Sequence, residues 1–97
     1  MKILNTEMKI KELTKNMKAV HIRNSKITEY ELNFATGDDS FDVFSVNVDK
    51  MLASFTSWNE VGGIDESTSY NLEFMIDYYS FKNRLEERIE KDKSNMY

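Results

Sequence analysis

The chain is 97 residues long with 40% hydrophobic and 12% aromatic side chains, enough apolar surface for a single domain over 1–97 and too little chain for a second. It has no cysteine, which excludes a disulfide framework, a thiolate metal site and a cysteine nucleophile, and suits a reducing cytoplasm. The net charge of −4 conceals a segregation: residues 27–80 hold eleven carboxylates against Lys50 alone, whereas residues 1–26 stand at +5 and residues 81–97 at +1.

The first element expected is a short helix over Thr6 to Met17, where Ile10, Leu13 and Met17 recur at helical spacing behind a capping Asn5 or Thr6. Lys18 to Arg23 sets Val20 and Ile22 on one side and Ala19, His21 and Arg23 on the other, the period of a strand. After a turn at Asn24-Ser25, Ile27 to Thr36 alternates Tyr30, Leu32 and Phe34 with Glu29, Glu31 and Asn33, so one face is buried and one is wet. Thr36-Gly37-Asp38-Asp39-Ser40 is a concentrated turn signal, joining that strand to Phe41–Val46 as a hairpin.

Val48, Met51, Leu52 and Phe55 then recur at i, i+3, i+4, i+7, which predicts an amphipathic helix ending near Trp58 and capped by Asn47 or Asp49. Asn59 to Ser69, with Gly62 and Gly63, reads as a polar loop. Beyond it Tyr70, Phe74, Tyr78, Phe81, Leu85 and Ile89 form a helical stripe, predicting a long C-terminal helix from about Ser69 to Asp92. The alternation of Tyr70, Leu72, Phe74, Ile76 and Tyr78 keeps open a fourth strand at about 70–78 before a shorter helix. The expected fold is therefore α+β, ordered αβββαα, with a three-stranded antiparallel sheet.

No stretch approaches the roughly 18 apolar residues of a membrane span, and Met1 to Lys18 does not resemble a signal peptide, so the expectation is a soluble protein of the cytoplasm with no membrane partner. The lone His21 lacks the company a zinc site or a nucleophilic triad requires and reads as a structural or surface histidine. Asp38, Asp39 and Asp42 cluster, but without the spacing of a calcium loop. With no phosphate-binding glycine loop and no second catalytic group, the reading is a protein that is not an enzyme and needs no cofactor or metal. Lys9, Lys11, Lys15 and Lys18 gather on the first helix, yet the acidic middle repels the same phosphates, so direct nucleic-acid binding is not expected. Trp58 reads as a core anchor at a helix end, with an interface residue as the alternative.

The charge segregation has two readings. Either the basic N-terminal segment folds over the acidic middle and neutralises it, or the acidic surface is displayed to a basic partner.

The order of these elements resembles the small acidic type II-A anti-CRISPR proteins, phage-encoded Cas9 inhibitors with an αβββαα arrangement. The similarity runs from about Met8 to Asp77 and is carried by Lys26-Ile27-Thr28, the tip Gly37-Asp38-Asp39, Met51-Leu52-Ala53-Ser54-Phe55 and Tyr70-Asn71-Leu72-Glu73-Phe74. It departs from the family in a less acidic loop and a longer C-terminal helix. The resemblance implies an inhibitor acting inside the host cell. Asp38, Asp39 and Asp42 of the hairpin and Glu60, Asp65 and Glu66 of the loop would mimic DNA in the basic channel of a defence nuclease such as Cas9 or a related effector. The alternative is an interaction module of immunity or antitoxin type, or a homodimer built on the C-terminal helix, since Leu72 to Tyr79 is apolar on both sides.

Overall fold

The structure, a computed structural model, describes residues 5–94 of the domain expected over 1–97. Helix α1 (Thr6–Thr14) leads into strands β1 (Lys18–Arg23), β2 (Lys26–Ala35), β3 (Phe41–Asn47), β4 (Leu52–Trp58) and β5 (Ile64–Asn71), and helix α2 (Met75–Ser94) completes the fold. The sheet is a five-stranded antiparallel meander in sequence order. The α+β class stands, but the three-stranded sheet of an αβββαα order is replaced by the five strands of αβββββα.

Three expectations are corrected. The helix predicted from Val48 to Trp58 is a turn leading into β4. Asn47 closes that turn by accepting a hydrogen bond from the Lys50 amide at 3.0 Å, and Met51 adopts φ 52°. The helical spacing of Val48, Met51, Leu52 and Phe55 is a coincidence of a turn abutting a strand. The deciding signal is Leu52-Ala53-Ser54-Phe55-Thr56, in which Ala53 and Phe55 face the core and the hydroxyl side chains face away.

The loop expected over 59–69 is confined to Asn59–Gly63, where the Asn59 carboxamide accepts from the amides of Val61 and Gly63 at 3.1 and 2.9 Å, and Gly62 supplies φ 81°. The rest of that stretch is β5, paired with β4 from Leu52↔Asn71 to Trp58↔Ile64. The C-terminal helix accordingly begins at Met75, not Ser69. A strand before a shorter helix does occur, but it is the fifth and lies at 64–71, with Leu72–Phe74 a turn. Tyr70 belongs to that strand, while Tyr78, Phe81, Leu85 and Ile89 form the helical stripe as expected.

Helix α1 is shorter than predicted, capped by Asn5 through its Oδ1 on the Met8 amide at 2.8 Å. Both helices cover one face of the sheet. Phe44 at the centre of β3 is fully buried and meets Phe34, Phe55 and Phe81 in tilted ring contacts with centroids 4.9–6.0 Å apart. Leu13, Val46, Ala53, Tyr70, Leu72, Tyr78 and Leu85 complete the core.

Two features of the sheet stay open. Strand β1 is an edge, exposed at every position, and its pairing with β2 is interrupted by register shifts around His21. The face opposite the helices, formed by Glu29, Glu31 and Asn33 of β2, Phe41, Val43 and Ser45 of β3, and Ser54, Thr56 and Trp58 of β4, is covered by no described element. No helix among the described residues is long and apolar enough to cross a membrane.

Candidate functional site

A meander places alternate turns at the same end of its sheet, so the β2–β3 tip and the β4–β5 loop are neighbours although all of β3 and β4 separates them in sequence. The tip is closed by Thr36, whose amide donates to the Ser40 carbonyl at 2.9 Å and whose hydroxyl meets Ser40 Oγ at 3.0 Å. Gly37 makes room for the Ser40 side chain within the tip and lies in ordinary contact range of the second loop. A Cβ there would stand 2.6 Å from Ser40 Oγ and 3.7 Å from the Glu60 carboxylate. Between the two loops lies an open cleft of about 380 Å³ bounded by Thr36, Ser40, Trp58, Glu60, Val61 and Asp65.

Four of the six carboxylates singled out in the sequence share this end. Asp38, Asp39 and Glu60 are exposed and enter no ion pair among the described residues, and Asp65 only accepts a hydrogen bond from Asn59 Nδ2 at 3.0 Å. No lysine or arginine occurs in 36–41 or 59–66. With no ion pair among the described residues to neutralise these four carboxylates, the two loops carry a negative potential.

The other two carboxylates point to the helical side. Asp42 is buried and ion-paired with Arg88 of α2. Burial raises its pKa, but hydrogen bonds from Arg88 and Ser57 outweigh that and hold the carboxyl below its ordinary value. Glu66 pairs with Arg84 at 2.8 Å, and the same guanidinium donates to the Tyr70 hydroxyl at 3.2 Å. Both arginines lie over core aromatics, Arg84 at 3.7 Å from the Phe55 centroid and Arg88 at 4.7 Å from that of Phe34. These pairs tie α2 to the sheet. The basic residues that reach the acidic middle thus come mainly from the C-terminal helix; the N-terminal segment contributes the Arg23–Asp49 pair.

The open sheet face adds residues that sequence reasoning misplaced or passed over. Phe41 and Trp58 are direct cross-strand partners, stacked with centroids 6.3 Å apart and planes at 28°. They head a trough of about 450 Å³ that continues past Val43, Thr56 and Ser45 to Asn33, Glu31 and Glu29. Phe41-Asp42-Val43-Phe44 offers an apolar side chain on both faces, so alternation alone does not tell inside from outside. The turn signal at Asn59, which ends a strand as readily as a helix, was the available clue to Trp58. A second exposed apolar group, Phe74, Met75, Ile76 and Tyr79, lies at the start of α2.

His21 sits on the edge strand with Nδ1 2.7 Å from Thr28 Oγ1. Among the described residues no three histidines or carboxylates gather as a metal site. No protein-family model matches this chain, and no curated protein or solved structure matches it either.

Proposed function

We propose that this chain is a non-catalytic binding domain that engages a basic protein surface through Asp38, Asp39, Glu60 and Asp65. The surface it fits best is one that otherwise holds nucleic-acid phosphates, as in the channel of a bacterial defence nuclease, so that binding competes with DNA. The observation that carries this reading is the gathering of four carboxylates from two loops at one end, none of them in an ion pair among the described residues. Folding alone gains nothing from that arrangement, because like charges brought together repel. Aimed at a basic channel, the same charges steer association and stand in for phosphates.

The support is electrostatic and not one of layout. Met51–Phe55, one of the segments on which the anti-CRISPR resemblance rests, belongs to a turn and β4 and is not a helix. Asp42 and Glu66 are left out of the surface because α2 already holds them.

The test is competition between DNA and this protein for a candidate nuclease, using Asp38→Asn/Asp39→Asn/Glu60→Gln beside a control at Glu7 and Glu73, exposed acids outside the two loops. The triple substitution is expected to weaken binding at least tenfold, because truncating a carboxylate opposite a desolvated arginine costs about 2–5 kcal/mol, while the control changes it little. Simultaneous binding of DNA and protein would reject the competition. A second reading, a homodimer through α2, is favoured by the exposure of Phe74 and Ile76 at 63% and 81%. Sedimentation equilibrium of the wild type and of Ile76→Asp separates it: a dimer that the substitution dissolves would support that reading.

A further inference from the structure

The inner face of this sheet repeats one construction. An aromatic ring and a carboxylate on a neighbouring strand together hold a guanidinium: Phe34 and Asp42 hold Arg88, and Phe55 and Glu66 hold Arg84. The outer face has the same components with no guanidinium on them; Lys18 stands across from Glu31 and Lys50 lines a hollow with Glu29, but neither closes an ion pair among the described residues. Phe41 and Trp58 stack at the head of the trough, with Glu60 and Asp65 on one side of Trp58, which also lines the acidic cleft. Glu29 and Glu31 stand at the other end, about 13–20 Å further along the strands at roughly 3.3 Å per residue. Glu29 enters no ion pair among the described residues, and Glu31 accepts only from the Asn33 carboxamide at 2.9 Å.

We infer that this open face is a second contact surface for the basic partner, and that it takes an extended arginine-bearing segment. One guanidinium lies on the Phe41–Trp58 stack and others meet Glu29 and Glu31. The inference rests on the proposed basic partner and extends its footprint from the acidic end onto the sheet. Three observations select the occupant. Serine and threonine in the middle rows (Ser45, Ser54, Thr56) leave a floor low enough for a peptide backbone to approach. The trough is long enough for about five or six extended residues at 3.3 Å each. Carboxylates at both ends favour cations and oppose the phosphates of a nucleic acid that would otherwise stack on exposed rings. Arginine is selected over lysine because its planar guanidinium stacks on an aromatic face and pairs bidentately with a carboxylate.

Trp58 is the only tryptophan of the chain and lines both this surface and the acidic cleft, so its emission reports on either, and substitutions at Glu29, Glu31 and Phe41, which line only the sheet face, tell the two apart. The full chain is titrated with a labelled short polyarginine peptide, following peptide anisotropy and Trp58 emission together, with polylysine, polyglutamate and oligothymidylate as further arms. Polyarginine is expected to bind and to shift or quench Trp58 saturably, and to bind roughly tenfold more tightly than polylysine, the scale of a well-formed cation–π contact. Glu29→Gln/Glu31→Gln and Phe41→Ala should each weaken it severalfold with the circular dichroism unchanged. Peptide binding that Glu29→Gln/Glu31→Gln and Phe41→Ala leave unaffected, whatever Trp58 emission does, would confine the contact to the acidic end, overturning this inference and sparing the proposed function. No polyarginine binding at all would remove both. Equal binding of oligothymidylate or polyglutamate, or burial of Trp58 by self-association without peptide, would overturn the inference in favour of a different occupant.

Discussion

Asp42 illustrates how an acidic residue can look available in sequence and be committed in structure. It sits on β3 directly opposite Phe34, facing α2, and Arg88 reaches it across the end of the core. Removing the carboxylate strands a largely buried guanidinium, so Asp42→Asn is expected to lower stability by about 2–3 kcal/mol in urea denaturation. The sign with pH comes from its lowered pKa. Below the ordinary carboxylate value near 4 the unfolded chain takes up the proton first, so this contribution is present at neutral pH and is lost as pH falls through the folded value. Asp42→Asn should therefore flatten the acid limb of the stability profile.

Tyr78 behaves in the opposite sense. Its hydroxyl is buried with no hydrogen-bond partner among the described residues, and burial, with smaller contributions from Tyr79, Glu12 and Glu86, pushes its pKa up to about 12. The unfolded chain releases this proton near pH 10, so stability is full below that point and declines as pH rises through about 12. Tyr78→Phe is expected to leave neutral-pH stability unchanged or raise it by up to about 1 kcal/mol, since it removes an unsatisfied polar group, and to flatten the alkaline limb. Thermal melts from pH 7 to 12 would check both.

Among the elements, those whose side chains divide cleanly by face were legible. Ile27–Thr36 alternates without conflict and is β2 to within a residue at either end, and the stripe of Tyr78, Phe81, Leu85 and Ile89 is the core face of α2. Strand β4 was not legible, because Val48 and Met51 in a turn supplied two of the four apolar positions that mimic a helix. Nor was β5, because Ile64-Asp65-Glu66-Ser67-Thr68-Ser69 is polar on both faces. It is held by pairing with β4 and by the Arg84–Glu66 pair, neither visible as hydrophobic period. The candidate surface divides in the same way. Its turn carboxylates were readable from the Gly37-Asp38-Asp39 signal, whereas Phe41 and Trp58 needed the register of the sheet. Asn24-Ser25, predicted as a turn, joins β1 and β2 with φ 52° and 64°. That is the mirror-image turn in which glycine is favoured at the second position, so Ser25→Gly is expected to raise stability by about 0.5–1 kcal/mol in the same urea assay.

For the whole molecule, charge is distributed by direction. The acidic end lies opposite the end that holds the β1–β2 and β3–β4 turns, with Arg23 and Lys26 flanking the first and Lys50 in the second, and α2 carries the two arginines that neutralise the inner face. An uncompensated end opposes folding in a salt-dependent way, since exposed charges are screened over about 10 Å at 0.1 M. Asp38→Asn/Asp39→Asn should thus stabilise the chain slightly at low salt, by about 0.5 kcal/mol, and the gain should vanish at high salt, while binding to a basic partner weakens. A stability gained by discarding the surface would mark it as functional.

The meander also governs how the chain finds this structure. Every strand pairs with its immediate neighbour in sequence, so four hairpins can close over short loops, and the docking of the two helices, α2 onto β2 and β3 and α1 beside Leu72 and Tyr78, is the step that brings distant segments together. Low sequence separation of this kind favours rapid collapse, and a chain without proline has no slow prolyl isomerisation to await. Refolding should be single-exponential on a timescale of about milliseconds. Arg88→Met in an Asp42→Asn background should mainly accelerate unfolding, because the helix-to-sheet seam closes after the hairpins have formed.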